Sequence, residues 1–265
     1  DLASTSFSKF GHTAPMFSQN KSKNPDEFKA WWAEHQGRPG ASGTIVGSEK
    51  CDGFSIALMY DKGTLTRGVT RGKLDPQTGK MVGVDITPNV RLMKGVAATV
   101  PGFTGFIRGE VVLLKSDWKA HLPAMINPRN GAVGIAKRED ATRSDCKHLT
   151  VLAYEIRKLD GSKSFPTKQS EFQVLAKLGF RTPAWKVFTS LSDALAWHKE
   201  HQDGKRAGLD YDIDGLVMEE DSRAILDDLG ISGRGPVASS AFKFIADAAD
   251  TVLLDIENQV GPTGI

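Results

Sequence analysis

Cysteine is scarce in this chain of 265 residues, which contains only Cys51 and Cys146. Two cysteines cannot build a disulfide framework, so a reducing, cytoplasmic setting is the simplest expectation. Long apolar runs are also lacking, and none approaches the ~18 residues that a membrane-spanning helix needs. We therefore expect no membrane partner.

An excess of either charge is missing as well, because 34 Lys and Arg residues face 32 Asp and Glu residues. This balance neither requires nor excludes nucleic acid, since binding depends on how basic residues cluster on one face. The six histidines show no metal-ligand spacing. The composition, with 40% hydrophobic and 25% charged residues, is ordinary for a globular enzyme of one large domain or two lobes.

Strand patterns and helix patterns are mixed along the chain. Apolar runs between turn residues predict strands, and helical periodicity behind capping residues predicts helices. The predicted strands are residues 44–47, 54–60, 64–70, 103–115, 149–157, 214–219 and 238–244, with a further strand segment at 251–259. One predicted helix is capped near Asn24, and the others cover residues 116–125, 168–178, 192–201 and 223–229. Hairpins with interspersed helices indicate an α+β fold.

The tetrad Lys50-Cys51-Asp52-Gly53 lies between two predicted strands. Taken alone, it is typical of a turn with a solvated lysine. It gains meaning from other segments that accompany it in a set order. They are His12-Thr13-Ala14-Pro15-Met16-Phe17-Ser18, Thr70-Arg71-Gly72, Asp85-Ile86-Thr87-Pro88-Asn89-Val90-Arg91, Arg108-Gly109-Glu110-Val111, Asn127-Pro128-Arg129-Asn130-Gly131-Ala132-Val133-Gly134, Asp212-Ile213-Asp214-Gly215-Leu216-Val217 and Ala241-Phe242-Lys243-Phe244.

This ordered set resembles the NAD-dependent DNA ligases along nearly the whole chain, from about His12 to Gly264. The Asn-Pro-Arg-Asn segment is the most specific part, because ATP-dependent ligases and RNA-capping enzymes share the tetrad but usually lack it. The resemblance implies the two-lobed, antiparallel-rich nucleotidyltransferase fold of DNA ligases and mRNA-capping enzymes. It also implies an adenylation domain at 1–250 and the start of a truncated oligonucleotide-binding barrel at 251–265.

The family's reaction, which serves DNA replication and repair, implies three steps. Lys50 would attack the AMP phosphorus of NAD, AMP would pass to the 5′-phosphate of nicked double-stranded DNA, and the 3′-hydroxyl would displace AMP. The attacking amine must be neutral, which nearby positive charge favours, so Lys243 and a bound Mg²⁺ are the expected agents. Asp52 would be an orienting acceptor or a metal partner.

The resemblance also assigns contacts around the nucleotide. Glu110 would hold the ribose or a Mg²⁺ ion, Arg71 would contact the ribose or the phosphates, and Tyr154 would stack on adenine. Lys243 would bind the α-phosphate. Plainer explanations are that Glu110 pairs with Arg108, that Arg71 and Lys243 are surface residues and that Tyr154 is a core residue.

Further assigned positions fall into two groups. Nucleotide-binding positions suggested by their motifs are Ser18, Gln19, Ser48, Glu49, Asp214 and Glu219. Basic positions expected to contact DNA or the leaving nicotinamide half are Arg129, Lys137, Arg138 and Arg206. A solvated basic face is the alternative explanation for the second group.

Three departures from the family pattern predict a divergent branch, of phage or viral type. Glu219 stands where the family has a lysine that touches the AMP phosphate, so either the phosphate contacts are rearranged or the alignment is shifted. Ser48 replaces a glutamate expected near the adenine amino group, and the adjacent Glu49 would face the other side of a strand. Pro262 replaces an arginine at the entry to the barrel.

Two other functions remain open at this point. One is an ATP-dependent polynucleotide ligase, and the other is a catalytically inactive nucleic-acid-binding subunit, which the charge at Glu219 motivates. The family's nicotinamide-recognition module and its oligonucleotide-binding barrel would have to lie elsewhere in a longer chain or on a second subunit.

Overall fold

The computed structural model describes residues 7–232 and 235–245, together with 252 and 255. Its strands are β1 (Lys9–Gly11), β2 (Asn20–Ser22), β3 (Ile45–Cys51), β4 (Phe54–Asp61), β5 (Thr64–Thr70), β6 (Lys73–Leu74), β7 (Met81–Val84), β8 (Gly105–Leu113), β9 (Leu149–Arg157), β10 (Trp185–Phe188), β11 (Ile213–Glu220), β12 (Ile231–Ser232), β13 (Gly235–Pro236) and β14 (Ser239–Lys243).

Short helices separate these strands. They are α1 (Pro25–Gln36), α2 (Thr87–Val90), α3 (Lys115–His121), α4 (Pro128–Ala136), α5 (Lys168–Lys177), α6 (Leu191–Glu200), α7 (Arg206–Gly208) and α8 (Arg223–Leu229). A 3₁₀ segment covers Ala141–His148, and a π-helical segment covers His201–Lys205.

Two large sheets form the two halves of the fold. One has the strand order β5-β4-β8-β9 and is antiparallel throughout. The other has the order β10-β3-β11-β14-β2, in which only the β14–β2 pair is parallel. The predicted α+β class with antiparallel-rich sheets is therefore confirmed.

Each large sheet packs against its own hydrophobic core. The core at the four-stranded sheet includes Ile56, Ile107 and Val151, all fully buried. The core at the five-stranded sheet includes Phe28 of α1 and Phe242 of β14, whose rings stack with centroids 4.3 Å apart. Strands β3 and β4 are consecutive but belong to different sheets, so the short turn between them joins the two halves.

Local sequence explains where several helices begin. The Asn24 side chain accepts a hydrogen bond from the Glu27 backbone at 2.9 Å, and Pro25 follows as the first helical residue of α1. The same arrangement begins α4, where the Asn127 side chain accepts from the Asn130 backbone at 2.8 Å. Asparagine before proline is a favoured helix start, because the side chain satisfies a free N–H and proline has none to lose.

The predicted elements agree with the structure in kind and differ at some ends. Helix α3 begins one residue before the predicted 116–125 and ends at His121. The elements that were not predicted are the edge strands β2 and β10, the short strands β1, β6, β7, β12 and β13, and the helices α2, α4 and α7. The predicted barrel start at 251–265 lies outside the described residues, except for positions 252 and 255. In the portions of the chain that the structure describes, no helix has the length and apolarity that crossing a membrane requires.

Candidate active site

A cleft of about 1230 Å³ is lined by residues of both large sheets. Its walls include strands β3, β11 and β14 on one side and strands β4, β8 and β9 on the other. The segment before β2 and one face of helix α4 also line it. The turn that joins the two sheets lies in this cleft, because Asp52 and Gly53 line it as well.

Gly53 is required by the close contact of this turn with strand β8. A Cβ atom at this position would lie 2.0 Å from the backbone oxygen of Val111, which is far inside van der Waals contact. The obstacle is backbone, so it cannot rotate away as a side chain would. The glycine of the tetrad therefore allows β4 to begin directly against β8, immediately after the lysine and the aspartate.

Lys50 extends from the end of β3 into the cleft, where it forms an ion pair with Asp214 of β11. Its Nζ lies 3.0 Å from Asp214 Oδ1, and 27% of its side chain is exposed. Lys243 of β14 donates to Oδ2 of the same carboxylate. Because β11 lies between β3 and β14, a single carboxylate holds two lysine ammonium groups side by side.

The charges of this group of three affect one another. Burial raises the pKa of Asp214, but the adjacent charges of Lys50 and Lys243 and their hydrogen bonds outweigh burial and bring it below its usual value. The pKa of Lys243 is lowered by burial and by the charge of Lys50, against the opposing effect of Asp214. The site is thus a compact positive centre around one ionised carboxylate, which suits an anionic ligand.

Helix α4 brings a further cation to the turn after Lys50. Arg129, near the beginning of this helix, donates to the Asp52 carboxylate. The backbone N–H of Asp52 donates to the Asp212 carbonyl oxygen at 2.8 Å, which ties the turn to the start of β11. Arg129 is 55% exposed, so it remains accessible to a ligand in the cleft.

Glu110 lies opposite Ser55 on the adjacent strand and accepts a hydrogen bond from its hydroxyl at 2.9 Å. Burial raises the pKa of Glu110 to about 7. The Ser55 hydrogen bond and the charges of Lys50, Arg129 and Arg71 oppose this effect without cancelling it. Arg108, the sequence neighbour considered as its partner, instead contacts Glu155 at 3.0 Å.

The other predicted nucleotide contacts differ in their surroundings. Tyr154 of β9 lines the cleft, and burial raises the pKa of its phenol, so the hydroxyl stays protonated. Arg71 and Ser18 line the cleft with exposed side chains, whereas Ser48 is almost fully buried. Gln19 accepts a hydrogen bond from the Ser239 hydroxyl.

Glu49 is occupied inside the protein. Its side chain is fully buried, accepts from Tyr211 and lies 3.0 Å from the Nε2 of His201. Burial raises its pKa, but these two hydrogen bonds outweigh burial and lower it. Each of its two carboxylate oxygens thus has a partner within the protein.

Glu219 lies far from Lys50 along the same strand that carries Asp214. It is opposite Val46 on β3 and Ser239 on β14, five residues beyond Asp214, or roughly 17 Å at a strand rise of ~3.4 Å. Its carboxylate accepts from Arg223, and the charges of Arg223 and nearby lysines outweigh burial and lower its pKa to about 2. Glu219 lines the same cleft as Lys50, and the Arg223 guanidinium pairs with its charge.

The four basic residues expected to contact DNA divide into two pairs. Arg129 and Lys137 both line the cleft. Arg138 does not line it, and its guanidinium contacts Asp145 at 2.5 Å. Arg206 lies 5.4 Å from the ring centroid of Phe244, also away from the cleft.

Sequence reasoning missed a buried charged network in the wall of the cleft. Arg108 and Arg157 contact the Glu155 carboxylate at 3.0 and 2.8 Å, and Lys163 lies 3.5 Å from it. Burial raises the pKa of Glu155, but these three cations hold it well below its usual value. Arg108 belongs to a quoted motif, but Glu155, Arg157 and Lys163 do not, and the sequence gives no sign that these residues of β8, β9 and the following loop meet.

Comparisons with known proteins agree with this geometry. The family described as "NAD-dependent DNA ligase adenylation domain" matches residues 4–247. A DNA ligase of Sorangium cellulosum is 35% identical over 282 aligned residues, which cover 98% of this chain and 40% of that protein. A DNA ligase of Hydrogenobaculum is 31% identical over 285 aligned residues, which cover 100% of this chain and 39% of that protein. The chain thus spans less than half the length of these curated relatives.

Solved structures show the shared fold at low identity. An archaeal ATP-dependent RNA ligase is 12% identical with a TM-score of 0.52, covering 87% of this chain and 48% of that one. A putative ATP-dependent DNA ligase from Aquifex aeolicus is 10% identical with a TM-score of 0.51, and the match covers 87% of this chain and 50% of that one. The predicted ligase fold is confirmed, and the family match is far more specific than the fold. The chain belongs to the family of NAD-dependent DNA ligase adenylation domains.

Proposed function

We propose that this chain carries out the first step of an NAD-dependent DNA ligase, with Lys50 as the nucleophile that becomes bonded to AMP. The observation that carries the proposal is the shared contact of Lys50 and Lys243 with Asp214 in the cleft. It supplies a nucleophilic amine and a second cation within reach of one phosphate group.

In the proposed step, Lys50 Nζ forms a bond to the AMP phosphorus while the bond from that phosphorus to the bridging oxygen breaks. Nicotinamide mononucleotide leaves with the bonding electron pair. Such transfers depend chiefly on positioning and on neutralising the phosphate oxygens. Lys243 is suited to the second task, because its ammonium lies beside the attacking amine.

Asp214 has a part in the proton balance of this step. Lys50 must lose a proton to expose its lone pair, and its ammonium donates a hydrogen bond to Asp214 Oδ2 at 3.3 Å. While Lys243 donates to it, the carboxylate is a weak base, since this contact lowers its pKa. When Lys243 turns to a phosphate oxygen, that lowering is relieved, and the carboxylate becomes a better acceptor for the Lys50 proton.

The remaining nucleotide contacts follow the cleft. Tyr154 would stack on the base, with Ser18, Gln19 and Ser48 around it, and Glu110 and Arg71 would hold the ribose. A bound Mg²⁺ would neutralise phosphate charge. A single carboxylate such as Glu110 fits this ion, because Mg²⁺ keeps several waters and shares phosphate ligands. Asp52, which pairs with Arg129, would orient that arginine rather than bind the metal.

The partner proposed for the adenylated chain is nicked double-stranded DNA. Arg129 and Lys137 would contact backbone phosphates at the cleft, which positions a duplex without reading its sequence. Nicotinamide recognition and sealing would use the additional modules expected elsewhere in a longer chain or on a second subunit. A cytoplasmic location belongs to the same proposal, since Cys51 and Cys146 are both free thiols.

Intact-mass measurement tests this function directly. The protein is incubated with NAD or ATP in parallel, and a mass gain of one AMP from NAD supports the proposal. Lys50→Ala and Lys50→Arg should show no gain, because a guanidinium stays protonated and is not a nucleophile. Lys73→Ala, at another lysine that lines the cleft, should react as the wild type does.

The outcomes separate the other two functions. Faster gain from ATP would identify an ATP-dependent ligase. No gain from either nucleotide, in this chain and in a longer chain that includes its flanking modules, would indicate an inactive binding subunit. Peptide mapping that locates AMP on any residue other than Lys50 would refute the mechanism.

A further inference from the structure

Two histidines and one aspartate meet on the surface at the end of α3, outside the cleft. Asp117 and His121 are four residues apart on this helix, and His148 ends the 3₁₀ segment just before β9. Their ligand atoms all lie within 4.8 Å of one another. The sequence alone did not reveal this group, because only the fold brings His148 to the helix.

The spacing suits a small metal ion. His148 Nδ1 lies 3.6 Å from Asp117 Oδ1. Two ligands of a tetrahedral zinc ion, each bonded at about 2.0–2.1 Å, lie about 3.4 Å apart. The His121 and His148 rings stack with centroids 4.2 Å apart, so the two imidazoles are neighbours, and each ring must rotate to turn a nitrogen towards a shared ion. Small side-chain rotations would bring the third atom into range.

The charges around the group also suit a cation. Lys94 donates to both oxygens of Asp117 at 2.8 Å, so one positive group already lies at this carboxylate.

Lys94 is able to leave the carboxylate. Its side chain is 49% exposed, so its ammonium can move into water. Its backbone is held by β9, since its N–H donates to Leu149 and its carbonyl accepts from Val151. Departure of the side chain would therefore leave the surrounding strand in place and free both oxygens of Asp117.

We propose that Asp117, His121 and His148 form a binding site for a divalent transition-metal ion such as Zn²⁺, and that Lys94 leaves Asp117 when the metal binds. Two imidazoles and one carboxylate favour this class over Mg²⁺ or Ca²⁺, which prefer oxygen ligands. Water would complete a tetrahedral site. Bound metal would join α3 to the start of β9, the strand that carries Tyr154. The proposal is independent of the adenylation chemistry.

Calorimetry with Zn²⁺ on the untagged, chelator-treated protein tests this site, and Co²⁺ absorption reports its geometry. We expect one ion per chain with tetrahedral Co²⁺ bands. His121→Ala and His148→Ala should each weaken binding at least about tenfold, because loss of a ligand costs no less than loss of a residue that only supports one. Lys119→Ala, an exposed residue on the same helix, should bind as the wild type does.

Lys94→Met gives the sharpest outcome, because removal of a competing ammonium should tighten Zn²⁺ binding. A purely structural role for Lys94 would produce no such gain. His121 is exposed, so its replacement should leave the fold intact, which thermal unfolding in the absence of metal checks. No Zn²⁺ binding by the wild type, or unchanged binding in both histidine variants, would overturn the proposal.

Discussion

Replacing Glu110 by glutamine should make the protein more stable, and increasingly so as the pH rises. Glutamine keeps the oxygen that accepts from Ser55 but carries no charge. The pKa of Glu110 is raised from 4.5 to about 7 by burial, so the folded state holds this proton more tightly than the unfolded state does. The stability linked to this proton is complete below pH 4.5 and is lost as the pH rises through about 7.

The magnitude follows from the two pKa values. Between about pH 5.5 and about pH 8.5, the wild type should lose roughly 2 kcal/mol of unfolding free energy through this group alone. Glu110→Gln cannot lose it, so the difference between the two proteins should grow by that amount. Other titrating groups affect both proteins alike and cancel in the comparison.

Urea unfolding of both proteins at the two pH values measures this difference. Ser55→Ala provides a second check, because removal of a hydrogen bond that lowers the Glu110 pKa should raise that pKa further. A stability difference that stays constant with pH would show that Glu110 does not titrate in this range. Glu110→Gln should also slow adenylation. A buried carboxylate that lowers stability is retained where the site needs its charge.

Three further predictions concern the same cleft. Lys243→Met should slow Lys50 adenylation about a hundredfold, which is about 2.7 kcal/mol in the barrier. Single-turnover mass measurements test this, and an unchanged rate would exclude binding of the phosphate by Lys243. Glu219→Lys should destabilise the protein by about 3–5 kcal/mol, because the buried Arg223 loses the Glu219 carboxylate and gains a cation beside it. A urea midpoint equal to that of the wild type would contradict this prediction. Gly53→Ala should destabilise strongly against Val111, whereas the control Gly134→Ala, on helix α4 with open space around it, should be neutral or slightly stabilising in thermal unfolding.

Short-range features of this protein could be predicted from the chain alone. The capping residue of α1 and the alternation along the strands depend on neighbours within a few positions, so local physics determines them. The tetrad at Lys50 and the Asn-Pro-Arg-Asn segment are also local, and their order was enough to identify the family. Glu110 and Tyr154 were predicted as nucleotide contacts in the same way, and both line the cleft.

The uses of several side chains could not be predicted in this way. Glu49 adjoins the nucleophile in sequence, yet it lies on the opposite face of β3 and bonds to His201 and Tyr211. Glu219 lines the cleft, and the strand register puts it opposite Val46 and next to Arg223. The partners of Glu49 and Glu219 could not be predicted from the sequence, because the register of each strand depends on the whole sheet.

The sequence by itself therefore determined the type of fold and the family, and it predicted Lys50 as the nucleophile, since all three depend on residue types in a set order. Only the tertiary structure decided which charges meet. Lys50 contacts Asp214 across 164 positions of the chain, and His148 reaches Asp117 only because β9 follows β8 in the sheet. Interactions between exposed charges are screened beyond about 8 Å at physiological salt, so they are determined by the folded distances and not by separation along the chain.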